Sequence, residues 1–213
     1  MLIFLKHSAA TILALAVLSA PALAQTVYTA KKAGSRPVIS RDVRGFDQCG
    51  IRVVVQDDKL EFMDAYDITL HIFPSQFSGA IEVGRLRLTA EQMNAKALPK
   101  VQGVPAESFW IAQDTDNKPL VPTSLLKSSI PGKMLGQSPI VETRNLIVAI
   151  ANGKRIQFEA GYAADKGASR VITFTAPLRE EDKATFAACI DSLPARMQEE
   201  IDLEAGRIPS TSK

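Results

Sequence analysis

Cys49 and Cys189 are the only two cysteines of this 213-residue chain, and their separation constrains the fold more than any other feature. In an oxidising compartment an even pair reads first as a disulfide; the other reading is two separate buried thiols. A bond between them closes a loop of about 140 residues, which the chain-entropy account values at ~5 kcal/mol, less any strain. The two are too far apart for a redox-active Cys-x-x-Cys motif, so the bond is expected to be structural. It ties the start of an early strand to a helix near the C-terminus, and everything between must fold back.

The N-terminus supplies the compartment. Lys6 and His7 form a short basic region, 8–20 is apolar, and Ala22-Leu23-Ala24 is a small-x-small cleavage site. Residues 1–24 therefore read as a signal peptide cut before Gln25. The apolar run falls short of the ~20 residues that span a bilayer, which weighs against the alternative of an uncleaved anchor. Cys49 lies too far from the cut to carry a lipid. The Ala-rich site favours the Gram-negative periplasm, with full secretion as second choice. No later segment is apolar for long enough to span a membrane.

Lys and Arg number 25 against 23 Asp and Glu, a formal charge of +2 that drops to +1 when Lys6 is removed. Such a balance argues against nucleic acid or an acidic membrane face as the main partner. The one local excess is acidic: Asp57, Asp58, Glu61, Asp64 and Asp67.

The remainder has the length of a single domain. Residues 25–45 are polar and basic, with Lys31, Lys32, Gly34, Arg36 and Pro37, and read as a flexible arm or a single extended edge segment. The folded region spans 46–206. Strands are expected at 51–55, 60–62 and 67–73 from β-branched runs and alternation. Another covers 80–88, where the apolar phase switches from Ile81 and Val83 to Leu86 and Leu88; a β-bulge at Gly84 explains the switch. Thr89 and Gln92 match a capping box opening a helix to about Leu98.

Prolines crowd 99–139, which reads as an irregular insertion with one strand at 108–113 and a helical turn at 124–129. The run 145–151 fits a helix stopped by Asn152-Gly153, or a buried strand with a hairpin turn. Stretches 154–162 and 170–176 read as an antiparallel hairpin. Pro177 and three acids introduce a helix whose stripe is Phe186, Cys189, Ile190 and Leu193; Pro194 breaks or restarts it before Gly206. Residues 207–213 read as a disordered tail. The fold class is thus α+β: a mostly antiparallel β-sheet with a C-terminal helix packed on it, in a single domain.

From Leu146 to Leu193 an apolar run, Gly-Lys-Arg, an alternating strand, a second strand and a helix with Phe186 follow one another. This rhythm resembles the C-terminal half of the invasion-associated locus B family of periplasmic proteins. It covers about 50 residues and no distinctive motif. The N-terminal half does not follow that family, and its internal cysteine pattern is missing, so no function and no site is carried over.

Chemistry leaves few local signatures. After cleavage His71 is the one histidine, on a strand face with Asp67, Thr69 and Phe73. There is no Gly-x-Ser-x-Gly elbow, and a hydrogen-bonded strand histidine outweighs a triad. One histidine and two bonded cysteines do not build a zinc site. Asp114-Thr115-Asp116 opens like a calcium loop, but Pro119 and Leu125 occupy the positions that need Gly and Glu. No phosphate loop is present. No catalytic residue, metal or cofactor is therefore assigned.

Two candidate surfaces remain. Phe109-Trp110 is the one dense aromatic site and could anchor a partner, though packing in the core is the commoner fate. Glu61, Asp64 and Asp67 could supply the carboxylate pair of a hydrolase. The leading expectation is a periplasmic, non-enzymatic protein that binds another protein or an envelope component. The alternative is a small carboxylate-dependent hydrolase acting on envelope glycans or peptides. An acidic pocket with a raised carboxyl pKa would favour the hydrolase. An apolar patch near Phe109-Trp110 or 120–135 would favour the binding protein.

Overall fold

The structure, a computed structural model, describes residues 27–58, 62–93, 103–115, 118–165 and 170–207. The leader expected at 1–24, Glu61, and all of the expected tail but Arg207 lie outside the described residues.

The described residues begin with a short strand and a long one. β1 (Val27–Thr29) pairs in parallel with a strand near the C-terminus, and β2 (Lys32–Asp42) pairs with β3 (Gly45–Asp58). The 25–45 segment is therefore not a free arm. Its main part is the extended edge segment of the second reading, held by a continuous ladder against β3. The turn between them needs Gly45, whose φ is +121°.

β4 (Phe62–Phe73) is one strand where two were expected, and β5 (Ser78–Thr89) pairs with it from Phe62↔Thr89 to Phe73↔Ser78 without a shift. No bulge occurs at Gly84. The phase switch has another cause: Arg85 and Arg87 follow Ile81 and Val83 onto the core-facing side, where half-buried Asp165 pairs with Arg85 and buried Asp64 with Arg87. Leu86 and Leu88 are half-buried on the opposite face, opposite Ala65 and Met63. The register irregularity lies instead between Ser40 and Arg41 of β2.

The capping box forms as expected. The Thr89 amide donates to Gln92 Oε1 at 2.9 Å and the Gln92 amide donates to Thr89 Oγ1 at 3.2 Å, opening α1 (Ala90–Met93). The expected continuation at 94–98 lies outside the described residues.

The proline-rich stretch is more regular than its composition indicates. It holds β6 (Val104–Pro105), β7 (Ser108–Gln113), β8 (Ser124–Lys127) and β9 (Lys133–Ser138). β8 stands where a helical turn was expected. It pairs with β9 through a turn that includes Gly132 at φ +80°, and this cross-strand pairing overrides the local helical preference.

α2 (Ile140–Ala151) settles the ambiguity at 145–151 in favour of helix, starting at the Pro139 N-cap. β10 (Ile156–Gly161) and β11 (Val171–Phe174) form the expected antiparallel pair. α3 (Glu180–Glu204) then runs unbroken through Pro194, on its exposed side, where the lost N–H removes a single helical bond.

The strands form two sheets, ordered β2-β3-β4-β5-β9-β8 with β6 beside β5, and β1-β11-β10-β7. One face of the seven-stranded sheet is apolar, with Ile51, Val53, Ile68, Leu70 and Ile81 fully buried. α3 covers β2 and β3, α2 covers β3 to β5, and the smaller sheet reaches the rest, where Phe158 meets Tyr66 edge-on at 5.9 Å. This is the α+β arrangement with the C-terminal helix on a mostly antiparallel sheet. The Cys49–Cys189 disulfide forms, with the Cα atoms 5.8 Å apart, and fastens β3 to α3.

Candidate functional site

An apolar groove lies between β7, the 118–123 segment and the first half of α2. One backbone bridge builds its floor: the Leu120 amide donates to the Ile111 carbonyl at 2.8 Å and the Ile111 amide donates back at 3.2 Å. Pro119 and Pro122 hold this segment extended, and Pro139 starts α2 at the far wall. The groove encloses about 390 Å³ and is lined by Ile111, Leu120, Val121, Pro139 and Leu146, among others. Gln113, Lys118, Thr123, Glu142 and Asn145 supply its polar groups. A mainly apolar hollow of this size with a few polar groups is the usual form of a ligand or side-chain pocket.

Apolar surface is exposed at its rim and continues beyond it. Val121 is 56 % exposed and Val141, on the first turn of α2, 63 %. Leu126 and Ile130, further along the same stretch, are also exposed. Two valines beside an apolar hollow form the kind of patch that marks contact with another molecule.

The aromatic pair is split by the strand's alternation. Phe109 faces the core, its ring filling the space that a side chain at Gly136 would need. Trp110 faces the other way, half-buried, and its indole N–H donates to Glu159 at 2.5 Å. Neither lines the groove, which begins at the next residue, Ile111.

The acidic residues are also divided. Asp64 points to the core side of β4 and is wholly buried; Arg87 donates to its two carboxylate oxygens at 2.7 and 2.8 Å. Asp67 sits on the opposite face and takes hydrogen bonds from Arg52 at 2.8 and 2.5 Å and an ion pair from Lys133 at 2.9 Å. Burial alone would raise the Asp67 carboxyl, but the bonds from Arg52 and Lys133 outweigh it and hold it below the ordinary range. The two do not meet in a shared cleft, and a lowered pKa is the wrong direction for a general acid. Glu61 lies outside the described residues.

Around Asp64 a wider cluster of buried charge closes the end of the sheet. Asp57, directly opposite Asp64 in the ladder, is 3.0 Å from Arg170. Arg85 is buried, donates to Asp165, and stacks 3.8 Å over the Tyr162 ring. Burial pushes the Tyr66 phenol up to about 12 and raises Tyr162 further. These paired charges join the two sheets. His71 lies on the opposite face, where its Nδ1 accepts from Gln48 while its ring stacks on Phe73 at 5.6 Å; burial lowers its pKa. Among the described residues no group of three or more His, Cys, Asp or Glu is placed to hold a metal ion, and no helix is long and apolar enough to cross a membrane.

No family model, no curated protein and no solved structure matches this chain. The likeness of 146–193 to the invasion-associated locus B family is accordingly carried no further.

Proposed function

We propose that this chain is an exported, periplasmic, non-enzymatic protein that binds another protein or an envelope component through the groove between β7, 118–123 and α2. The observation that carries the reading is the apolar hollow with Val121 and Val141 exposed beside it. Burying the exposed parts of two such valines contributes roughly 2–3 kcal/mol on contact, and filling the hollow must supply the rest of what a transient complex requires. Export rests on the pattern of residues 1–24, and the Cys49–Cys189 bond is consistent with an oxidising compartment.

Site-specific photocrosslinking in cells tests the reading. A photoreactive residue at Val121 is expected to give one discrete adduct, which disappears when Val141→Glu is added. The same probe at Val43, fully exposed on the β2–β3 turn, is expected to give none. Adducts of equal yield at both positions, or none at Val121, would refute the groove as the binding surface. Terminal sequencing of the same material should begin at Gln25.

A further inference from the structure

β2 is an edge of the seven-stranded sheet. It pairs with β3 alone, and among the described residues no strand or backbone hydrogen bond meets the other side of 32–36. Such an edge is a ready template for another strand. Lys32, Gly34 and Arg36 alternate on the sheet face turned away from the core, in register with Gln56, Val54 and Arg52.

Two hollows border this edge, of about 650 and about 390 Å³; Gly34 and Val54 bound both, and the larger reaches round the edge to Ala33 and Phe174. They meet where Gly34 lacks a side chain. Lys31, Lys32 and Arg155 line the larger, Arg36 and Arg52 the smaller. Arg52 is committed to Asp67, and Arg155 lies 3.4 Å from Asp114. Lys31, Lys32 and Arg36 have no carboxylate partner among the described residues. Val54, on the floor, is 38 % exposed.

We propose that this edge accepts an extended, acidic segment of another protein as an added strand. Main-chain bonds to 32–36 supply the docking, and the alternate side chains supply the selection. A strand laid beside β2 sets every second side chain over the outer face. Its pattern is acidic-x-apolar-x-acidic: carboxylates opposite Lys32 and Arg36, and a large apolar side chain in the gap at Gly34, over Val54. Opposite charges directly across a strand pair stabilise it, and like charges oppose it. The same rule disfavours a second copy of this chain in the matching register. An antiparallel pairing centred on Gly34 sets Lys32 against the other copy's Arg36. The site shares no residue with the apolar groove and does not depend on it.

The test is fluorescence polarisation of a labelled peptide, Thr-Thr-Glu-Thr-Phe-Thr-Glu-Thr-Thr, titrated with the full chain. Saturable binding is expected, at least tenfold weaker when both Glu are Lys. Gly34→Trp is expected to weaken it tenfold or more. A Cβ built at Gly34 meets no atom within 4 Å, so this variant fills the gap without disturbing the fold, as an unchanged melting temperature will verify. The double variant Lys32→Glu with Arg36→Glu is expected to prefer the Lys peptide, and it decides the matter alone if Gly34→Trp melts lower. Methylating alternate peptide amides should abolish binding in one of the two frames. Equal affinity for Glu and Lys peptides, full binding by Gly34→Trp, or indifference to amide methylation would overturn the proposal. So would phosphatidylglycerol vesicles that displace the peptide more effectively than unlabelled peptide does, which would assign the surface to a membrane.

Discussion

At one end of β3 and β4 the core is apolar and covalently closed, whereas at the other it is a cage of buried charge. Cys49 and Ile72 face each other across the first end, and α3 seals it through Cys189. Asp57 and Asp64 face each other across the second, ringed by Arg85, Arg87 and Arg170, with Tyr162 and Asp165 of the smaller sheet's side completing the closure. The two solutions differ in what they contribute. The disulfide restricts the unfolded chain and so adds stability outright. The charge cluster recovers little more than its own desolvation cost, yet is expensive to leave half-made. The first end therefore sets how stable the fold is. The second sets which surfaces of the two sheets can meet.

Removing the covalent end has the largest expected effect. Cys49→Ala with Cys189→Ala should lower unfolding stability by about 5 kcal/mol, read as a fall in the urea midpoint with a steeper slope, because the unfolded chain without the cross-link exposes more surface. A fall below about 1 kcal/mol would erase the distinction between the ends. Next comes the ionic end. Arg87→Met strips Asp64 of two hydrogen bonds and should cost about 3–5 kcal/mol, while Arg87→Met with Asp64→Leu should recover most of it. If the double variant is no better than the single, the cluster is a source of net stability and the comparison fails.

A pH series separates the ends with smaller effects. Tyr66 titrates near 12 when folded and near its ordinary 10.0 when unfolded, so stability should fall as pH rises from 10 towards 12. Tyr162, raised further, adds to the same limb, so Tyr66→Phe should make it shallower and Tyr66→Phe with Tyr162→Phe should flatten it. His71, on the face behind the disulfide end, is lowered by burial, so the unfolded chain takes its proton first. Stability should decline as pH drops below 6.5 towards the folded value, and His71→Asn should remove the slope.

Several features were legible in the residues because each carries a period or a cap. The alternation of 67–73, the aromatic run 108–113, the reciprocal Thr89–Gln92 cap and the stripe through Phe186 and Cys189 are local patterns that tertiary structure leaves intact. The misreadings share a cause. At Gly84 an apolar phase was followed where charged side chains, Arg85 and Arg87, occupy core-facing positions because distant carboxylates pair with them. β9 shows little alternation: Gly136 must be small because the Phe109 ring lies 2.7 Å from where its Cβ would stand, a constraint from another strand. The groove was invisible for a related reason. Its walls come from three separate segments, around Ile111, Leu120 and Leu146, and none contains a motif of its own.

The parallel pairing of Val27–Thr29 with Val171–Thr173 has a temporal consequence. A chain that leaves the ribosome, or crosses a membrane, N-terminus first presents β1 long before β11 exists. The strand waits for a partner that is almost the last to arrive, as Cys49 waits for Cys189. Its beginning is completed by its end: β1 gains its strand partner, and Cys49 its disulfide, only once the C-terminal segment has arrived.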